Sequence, residues 1–174
     1  MSVIGIRTTH VATFLLVVRR SISCFDFVQI QILVLSSSRS HSDFDQSFSG
    51  IIPPWLAKLK QLQTLDLSMN KFQGAIAEAI GDLSSVKYLN LLGNNLTGAL
   101  PSSLGMLPVI EVLILGNNAL QGELPASIGN LRTLQLLDVG SNELILTIPS
   151  SFSNLESLSK SYTFTETLCL EIVN

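Results

Sequence analysis

Four consecutive segments of 24 residues fill positions 59–154: LKQLQTLDLSMNKFQGAIAEAIGD (59–82), LSSVKYLNLLGNNLTGALPSSLGM (83–106), LPVIEVLILGNNALQGELPASIGN (107–130) and LRTLQLLDVGSNELILTIPSSFSN (131–154). Each segment opens with Leu, and apolar residues recur at fixed offsets within it. A period of this size is typical of proteins that stack one small structural unit on the next, because a single unit cannot bury its apolar face alone. The four segments therefore predict a solenoid.

The first half of each segment predicts a β-strand. Leu113 and Leu115 alternate with other residues, and the same offsets hold an apolar pair in every segment. This alternation is the period of a strand with one buried face, so stacking should join the strands into one parallel sheet on the concave side of a curved rod. Pro101, Pro125 and Pro149 fix φ and lack an N–H donor, which favours irregular or 3₁₀ turns on the convex side. We predict an α/β-type repeat solenoid.

One asparagine in each segment lies five residues after the first strand leucine: Asn70, Asn94, Asn118 and Asn142. A buried turn leaves backbone N–H and C=O groups without partners, and an amide side chain can donate and accept at once. We expect these four residues to form a structural asparagine ladder.

The motif that recurs is LxxLxxLxLxxNxLxGxLPxxLGxL, as residues 83–107 show it. It resembles the plant-type leucine-rich repeat of receptor-like kinase ectodomains, receptor-like proteins and polygalacturonase-inhibiting proteins. The resemblance implies a second short strand in each repeat, a protein or peptide ligand, and a receptor kinase as a further partner. The sequence has no paired-cysteine cap, no transmembrane segment and no kinase motifs, so we interpret it as a truncated member of this group.

The concave face is the expected ligand-binding surface, because solenoids offer this side to partners. Strand positions that point away from the core should form columns across neighbouring repeats. Apolar members of these columns should make a contiguous patch with a polar rim, a combination that often marks a partner site. The candidate contact residues are Asp66, Tyr88, Asn90, Leu92, Val112, Ile114, Leu136 and Asp138.

The residues outside the four regular repeats divide into three parts. Residues 27–58 match the repeat offsets with a polar insertion near positions 38–47, which predicts a degenerate first repeat. Residues 155–174 predict a degenerate C-terminal repeat or tail. Residues 1–26 combine an apolar run with basic residues and predict a poorly ordered segment, with a secretory signal, an organelle transit peptide and an incomplete chain start as open interpretations.

Composition excludes several function classes. Hydrophobic residues make up 47% of the 174 positions and charged residues 13%, with a net charge of -3 and no basic cluster, so nucleic acid is not an expected partner.

His41, Asp43 and Asp45 alternate within the polar insertion, but we interpret them as a solvated loop and expect no metal. The two cysteines, Cys24 and Cys169, are too far apart along the repeat axis to predict a disulfide. Both histidines precede the regular repeats, so we expect neither an enzyme nor a cofactor.

A glycosylation sequon, Asn95-Leu96-Thr97, lies in the second repeat and should face outward. It fits an extracellular or cell-surface location. We expect a recognition module that acts in extracellular perception or signalling. Two alternatives stay open, which are an inhibitor of a secreted cell-wall-degrading enzyme and a truncated remnant without an independent function.

Overall fold

A computed structural model of the chain describes residues 4–5, 15–16, 30–33, 47–145, 147–158 and 160–161. The cysteines, the insertion with His41, Asp43 and Asp45, and most of the segments 1–26 and 155–174 lie outside the described residues. Within the described part, strands β1 (Ile4–Gly5) and β2 (Leu15–Leu16) form a small antiparallel pair. The rest of the described chain is a solenoid, which confirms the predicted fold class.

A parallel sheet carries the first strand of each repeat. Its six strands, among the described residues, are β3 (Ile30–Leu33), β5 (Leu62–Asp66), β7 (Tyr88–Asn90), β9 (Val112–Ile114), β11 (Leu136–Asp138) and β13 (Lys160–Ser161). They are stacked in chain order, and equivalent positions pair across the four regular repeats, as Leu89 does with Leu113. Side chains at equivalent positions therefore lie in columns, with about 4.8 Å from one repeat to the next within a column.

A second parallel sheet carries the short second strand that the family resemblance implies. Its five strands, within the same described part, are β4 (Ser49–Gly50), β6 (Lys71–Gly74), β8 (Asn95–Ala99), β10 (Ala119–Glu123) and β12 (Glu143–Ile145). Three of these strands contain a glycine with φ near +80° that takes part in the pairing: Gly74 at the end of β6, Gly98 in β8 and Gly122 in β10. Each repeat is thus a coil with a sheet on two of its sides.

A 3₁₀ helix closes each coil on the convex side. These helices span Pro54–Lys58, Glu78–Asp82, Ser102–Met106, Ala126–Asn130 and Ser150–Asn154. A residue in extended conformation precedes each of them, and Ala77 adopts nearly the same backbone angles there as Pro101 does. The loss of proline in the first regular repeat therefore leaves the turn unchanged.

The interior is a continuous column of aliphatic side chains with Phe72 and Phe152 included. The strand leucines Leu65, Leu89 and Leu113 are fully buried. Burial of a leucine side chain contributes about 1.5–3 kcal/mol to stability. Since Leu89 lies between its equivalents Leu65 and Leu113, stacking and not the single repeat supplies the core.

The four ladder asparagines satisfy the backbone of the turn that follows each strand. The Asn118 Nδ2 donates to the carbonyl oxygens of Leu115 and Gly116 in its own repeat and of Leu91 in the preceding repeat, at 3.0–3.1 Å. Its Oδ1 accepts a hydrogen bond from the Leu96 backbone N–H at 3.1 Å. Asn94 and Asn142 repeat the full set of partners at equivalent positions, and Asn70 accepts from Phe48 in the same way.

Glycines allow the 3₁₀ helices to pack closely. A Cβ added to Gly81, Gly105 or Gly129 would overlap the backbone carbonyl of Ser103, Ser127 or Ser151 in the next repeat. The hydroxyl groups of Ser127 and Ser151 donate back to the carbonyl oxygens of Ser102 and Ala126. The glycine therefore sets how near two neighbouring helices can come.

The first strand of the large sheet differs from the register that the repeat offsets predict. The offsets align Leu33 with Leu65, whereas the structure pairs Ile32 with Leu65 after an irregularity between Ile30 and Gln31. A shift of one residue exchanges the two faces of a strand. Because Ile32 and Leu33 are both apolar, the sequence pattern does not distinguish the two registers.

Candidate functional site

The concave face consists of the large-sheet side chains that point away from the core. Strand pairing aligns Thr64, Tyr88, Val112 and Leu136 in one column. A second column, one pleat further along the strands, contains Asp66, Asn90, Ile114 and Asp138. Ser68, Leu92, Gly116 and Gly140 follow at the next outward position of each repeat. The pairing thus brings seven of the eight sequence-predicted contact residues onto one face of the sheet, and Leu92 lies just beyond the end of β7.

The centre of the concave face is apolar. Val112, Ile114 and Leu136 occupy adjacent positions on β9 and β11, with Tyr88 and Leu92 beside them in the preceding repeat. All five side chains are half-buried, not fully exposed, because side chains of the neighbouring repeats, about 4.8 Å away, cover their flanks. Burial raises the pKa of the Tyr88 phenol, the Asp66 carboxylate adds to the rise, and a hydrogen bond from Asn90 acts in the opposite direction.

Asn90 departs from the expected role of a contact residue. Its side chain is only 7% exposed, and both ends of its amide have partners. The Oδ1 accepts from the Leu92 backbone N–H at 3.1 Å, and the Nδ2 donates to the Tyr88 hydroxyl oxygen at 3.3 Å. Asn90 therefore supports the turn after β7 and orients Tyr88, and a ligand on this face would meet it only through Tyr88.

Two carboxylates border the apolar centre in the second column. The Asp66 Oδ1 accepts hydrogen bonds from the backbone N–H and the hydroxyl of Ser68, and the Asp138 Oδ1 accepts from the Gly140 backbone N–H. Neither carboxylate forms an ion pair within the described residues. Three strand spacings separate the two side chains, which amounts to about 14 Å. The face therefore carries two negative charges, and no described residue forms a hydrogen bond with the second carboxylate oxygen of either side chain.

The Asp138 side chain extends toward the preceding repeat and lies beside Gly116, which has no side chain to obstruct it. A Cβ at Gly116 would lie 2.8 Å from the Asp138 Oδ2. This position raises the pKa of the Asp138 carboxyl, because burial disfavours its charged form, while the hydrogen bond from Gly140 acts in the opposite direction. The carboxylate thus lies beside Gly116, in space that a side chain at this position would fill.

A cation and an anion at the edge of the face neutralise each other. The Lys87 Nζ lies 2.9 Å from the Glu111 Oε1, across one repeat. Both side chains are substantially exposed, so this pair contributes little to stability. Its effect is on charge, since it leaves Asp66 and Asp138 as the groups that determine the sign of the concave face.

The sequence did not predict the exposed position of Met69 or its left-handed backbone. This residue lies in the turn between the concave face and the asparagine ladder. Its side chain is 58% exposed and lies against Gly93. Met69, Asn117 and Ser141 have φ between 51° and 54°, and Gly93 at the equivalent position has φ 66°. Glycine and asparagine at a spacing of 24 residues are the signal that predicts this left-handed conformation.

Neither a metal site nor a membrane span is found in the described part of the chain. No three His, Cys, Asp or Glu side chains gather there in a way that would hold a metal ion. No helix of that part has the length and hydropathy that crossing a bilayer requires. The Asn95 side chain, by contrast, is exposed on β8 of the second sheet, away from the concave face.

Comparison with known proteins gives a consistent picture. Residues 37–173 match the family model described as a leucine-rich repeat region. No curated protein sequence gives a significant match.

Solved structures of plant receptors are similar to the chain. The plant peptide hormone receptor RGFR1, in complex with RGF2, is 38% identical over 63% of this chain, with a TM-score of 0.62. The ectodomain of the receptor kinase SOBIR1 from Arabidopsis thaliana is 28% identical over 82% of this chain, with a TM-score of 0.65. The Arabidopsis receptor kinase HAESA, in complex with the peptide hormone IDA and the co-receptor SERK1, is 28% identical over 82%, with a TM-score of 0.60.

These structures differ in how much of their own length the chain spans. It spans 75% of the SOBIR1 ectodomain, but only 18% of the RGFR1 chain and 27% of the HAESA chain.

Proposed function

Because the chain belongs to the leucine-rich repeat family, we propose that it is a receptor-like recognition protein that binds a peptide or protein segment on its concave face. The observation that carries this proposal is the composition of that face. Five half-buried apolar side chains form one block, and each keeps part of its surface exposed in the described chain. Apolar patches with a polar rim are common at partner sites.

The charges on the face favour a ligand with a basic group. Asp66 and Asp138 border the apolar block without cationic partners in the described chain, whereas Lys87 is already paired with Glu111. A lysine, arginine or amino-terminal amine would supply the missing charge and bond to the unused carboxylate oxygens. Charge complementarity of this kind increases the association rate and the specificity more than the affinity.

The solved structures support the receptor-like part of the proposal. RGFR1 is a peptide hormone receptor in complex with RGF2, and HAESA is in complex with the peptide hormone IDA and a co-receptor. We therefore propose that the chain acts outside the cell or at its surface, together with a receptor kinase. Catalysis is not part of this proposal.

The test is selection of peptides from a displayed random library on the purified chain. We expect peptides that combine apolar residues with Lys or Arg. The double variant Val112→Ser and Leu136→Ser should weaken their binding by at least about tenfold, which corresponds to about 1.4 kcal/mol. A matched variant of the second sheet, Gln73→Ser and Gln121→Ser, should leave the binding unchanged.

Two results would overturn the proposal. One is the absence of any selected peptide. The other is a set of peptides whose binding responds to the second-sheet variant and not to the concave-face variant. The charge preference has its own test, since Asp138→Asn should lower the affinity for lysine-containing peptides and reduce the dependence of their binding on salt.

A further inference from the structure

Two adjacent asparagines of the second repeat have opposite surroundings. Asn94 belongs to the ladder, where its Nδ2 donates to the Leu67 and Leu91 carbonyl oxygens and its Oδ1 accepts from the Phe72 N–H. Asn95 begins β8, and its side chain is exposed. No hydrogen bond joins the Asn95 amide to another described side chain. One asparagine is therefore needed by the fold, and the other is not.

The repeat itself shows that the fold does not require Asn95. Equivalent positions in the other regular repeats contain Lys71, Ala119 and Glu143. A cationic, a small apolar and an anionic residue are all accepted there, so neither hydrogen bonding nor packing selects the residue type. Thr97 is similarly unconstrained, because Gln73 and Gln121 occupy its equivalent positions in the neighbouring repeats.

The strand places the two sequon residues on the same side. Leu96, which separates Asn95 from Thr97, is fully buried in the core. Residues two apart on a strand point to the same face, and both Asn95 and Thr97 are exposed. The strand partner of Asn95 in the preceding repeat is Gln73, which is itself exposed, and the small residue Ala119 pairs with Thr97 on the other side. A large substituent on the Asn95 amide would extend into solvent.

We infer that Asn95 is the acceptor of an N-linked glycan, with Thr97 as the hydroxyl residue that the transfer requires. The reaction forms a bond between the Asn95 Nδ2 and C1 of the first sugar of a lipid-diphosphate-linked oligosaccharide. The bond between this C1 and the diphosphate oxygen breaks, the lipid diphosphate leaves, and the amide nitrogen loses one proton. Asn95-Leu96-Thr97 is the one triplet of the type N-x-S/T in the sequence, so we expect a single glycan.

The position of this glycan would separate two surfaces. Asn95 lies on the second sheet, whereas the peptide-binding face proposed above lies on the first. A glycan at Asn95 would therefore cover part of the second sheet and leave the concave face open. It follows that the inference does not depend on the proposed ligand, and each of the two can fail without the other.

The experiment expresses the full chain behind a heterologous secretory leader in plant cells, and analyses both the secreted and the microsomal protein. Trypsin should release residues 88–132 as one peptide, because Lys87 and Arg132 are the flanking cleavage sites. Peptide N-glycosidase in heavy-oxygen water should convert the modified Asn95 to a labelled Asp that mass spectrometry identifies. Asn95→Gln and Thr97→Ala should each abolish the modification, and Thr97→Ser should retain it.

A transplanted sequon is the matched control. In the Asn95→Gln background, Ala119→Asn with Gln121→Thr moves the triplet to the equivalent strand of the next repeat, where we expect the glycan to return. Unmodified Asn95 in both fractions of the parent protein would overturn the inference. The result would be clearest if the transplanted site of the variant were modified at the same time, since the glycosylation machinery would then be shown to reach this sheet. The Asn95→Gln protein should keep its melting temperature, and a loss of folding in this variant would contradict the assignment of Asn95 to the surface.

Discussion

Leu113 and Ile114 are neighbours on β9, yet they belong to two regions of the solenoid that obey different constraints. The interior column of Leu113 contains a leucine in all four regular repeats, and each of these leucines is at most 5% exposed. The concave column of Ile114 contains aspartate, asparagine, isoleucine and aspartate in the same order of repeats. Stacking in register brings each interior position against copies of itself, so one shape must fit all repeats.

The concave face has no such requirement, because its side chains contact their neighbours only at the flanks. Residue types can vary there at little cost to stability, and the variation from repeat to repeat is what gives this chain its own surface. The comparison therefore predicts that substitutions divide sharply between the two regions. Interior changes should lower stability, and concave changes should alter binding.

The largest expected effect is that of Leu113→Ala. Loss of a fully buried leucine removes transfer free energy and leaves a cavity, which costs about 2–5 kcal/mol. Ile114→Ala on the same strand is the matched control, and it should cost less than half as much, because Ile114 is half-buried. Urea unfolding followed by circular dichroism measures both variants. Equal losses in the free energy of unfolding would mean that the two faces of β9 contribute equally to stability, which would contradict the prediction.

Asn118→Ala should cause the second-largest loss in the free energy of unfolding. Its amide makes three donated hydrogen bonds and accepts one, and their loss leaves buried backbone groups of two repeats without partners. The cost should lie at the upper end of the range of about 1–3 kcal/mol. Asn95→Ala is the control, since its side chain is exposed, and it should change the free energy of unfolding by less than about 0.5 kcal/mol. An unchanged Asn118→Ala protein would contradict the structural role of the ladder.

Gly105→Ala tests the convex side. The new Cβ would overlap the Ser127 carbonyl, and relief requires two neighbouring 3₁₀ helices to move apart. Overpacking of this kind costs on the order of 2 kcal/mol. Ser153 occupies the equivalent position in the last helix, which no further 3₁₀ helix of the described chain follows, so Ser153→Ala should have almost no effect on the melting temperature. A similar loss in both variants would rule out helix spacing as the cause.

The smallest expected effect is a pH-dependent one. Burial raises the pKa of Asp138 in the folded chain above its unfolded value, so the folded state binds the proton more tightly. This group favours folding below the unfolded pKa, and the contribution is lost as the pH rises through the folded pKa. Asp138→Asn should therefore be slightly more stable than the parent at neutral pH, by no more than about 0.5 kcal/mol for a half-exposed group, and the gain should vanish in acid.

Asn90 provides the precedent for that substitution, since it accepts the equivalent backbone hydrogen bond in its own repeat. The measurement is the difference in urea midpoint between the parent and Asp138→Asn at several pH values. A gain that grows in acid would have the wrong sign and would contradict the explanation by burial.

Much of the fold could be predicted from the spacing of a few residue types. Leucine pairs indicated the strands, and a spacing of 24 residues indicated the pairing of Leu89 with Leu113. Proline indicated the extended entry to the 3₁₀ helices, and Asn118 was expected to satisfy the backbone of the turn. These predictions succeed because each depends on local geometry that the stack repeats without change.

The candidate site was less predictable. The columns of the concave face follow from strand period, but the burial of Asn90 depends on its contact with Tyr88. The left-handed backbone of Met69 and Ser141 has no signal in those residues themselves and is imposed by the repeat around them. The register of β3 was undetermined, because Ile32 and Leu33 are both apolar.

The spacing of residue types is sufficient to predict a leucine-rich solenoid, its 24-residue step and the residues of its interior, because stacking buries equivalent apolar positions against one another. The accessibility of the outward residues, and which of their charges are paired, can be read only from the three-dimensional structure. Asp138 reaches over Gly116, and Lys87 is neutralised by Glu111, through contacts between repeats that lie 24 positions apart. Such contacts depend on side-chain directions at the surface, where no repeated shape restricts the residue type.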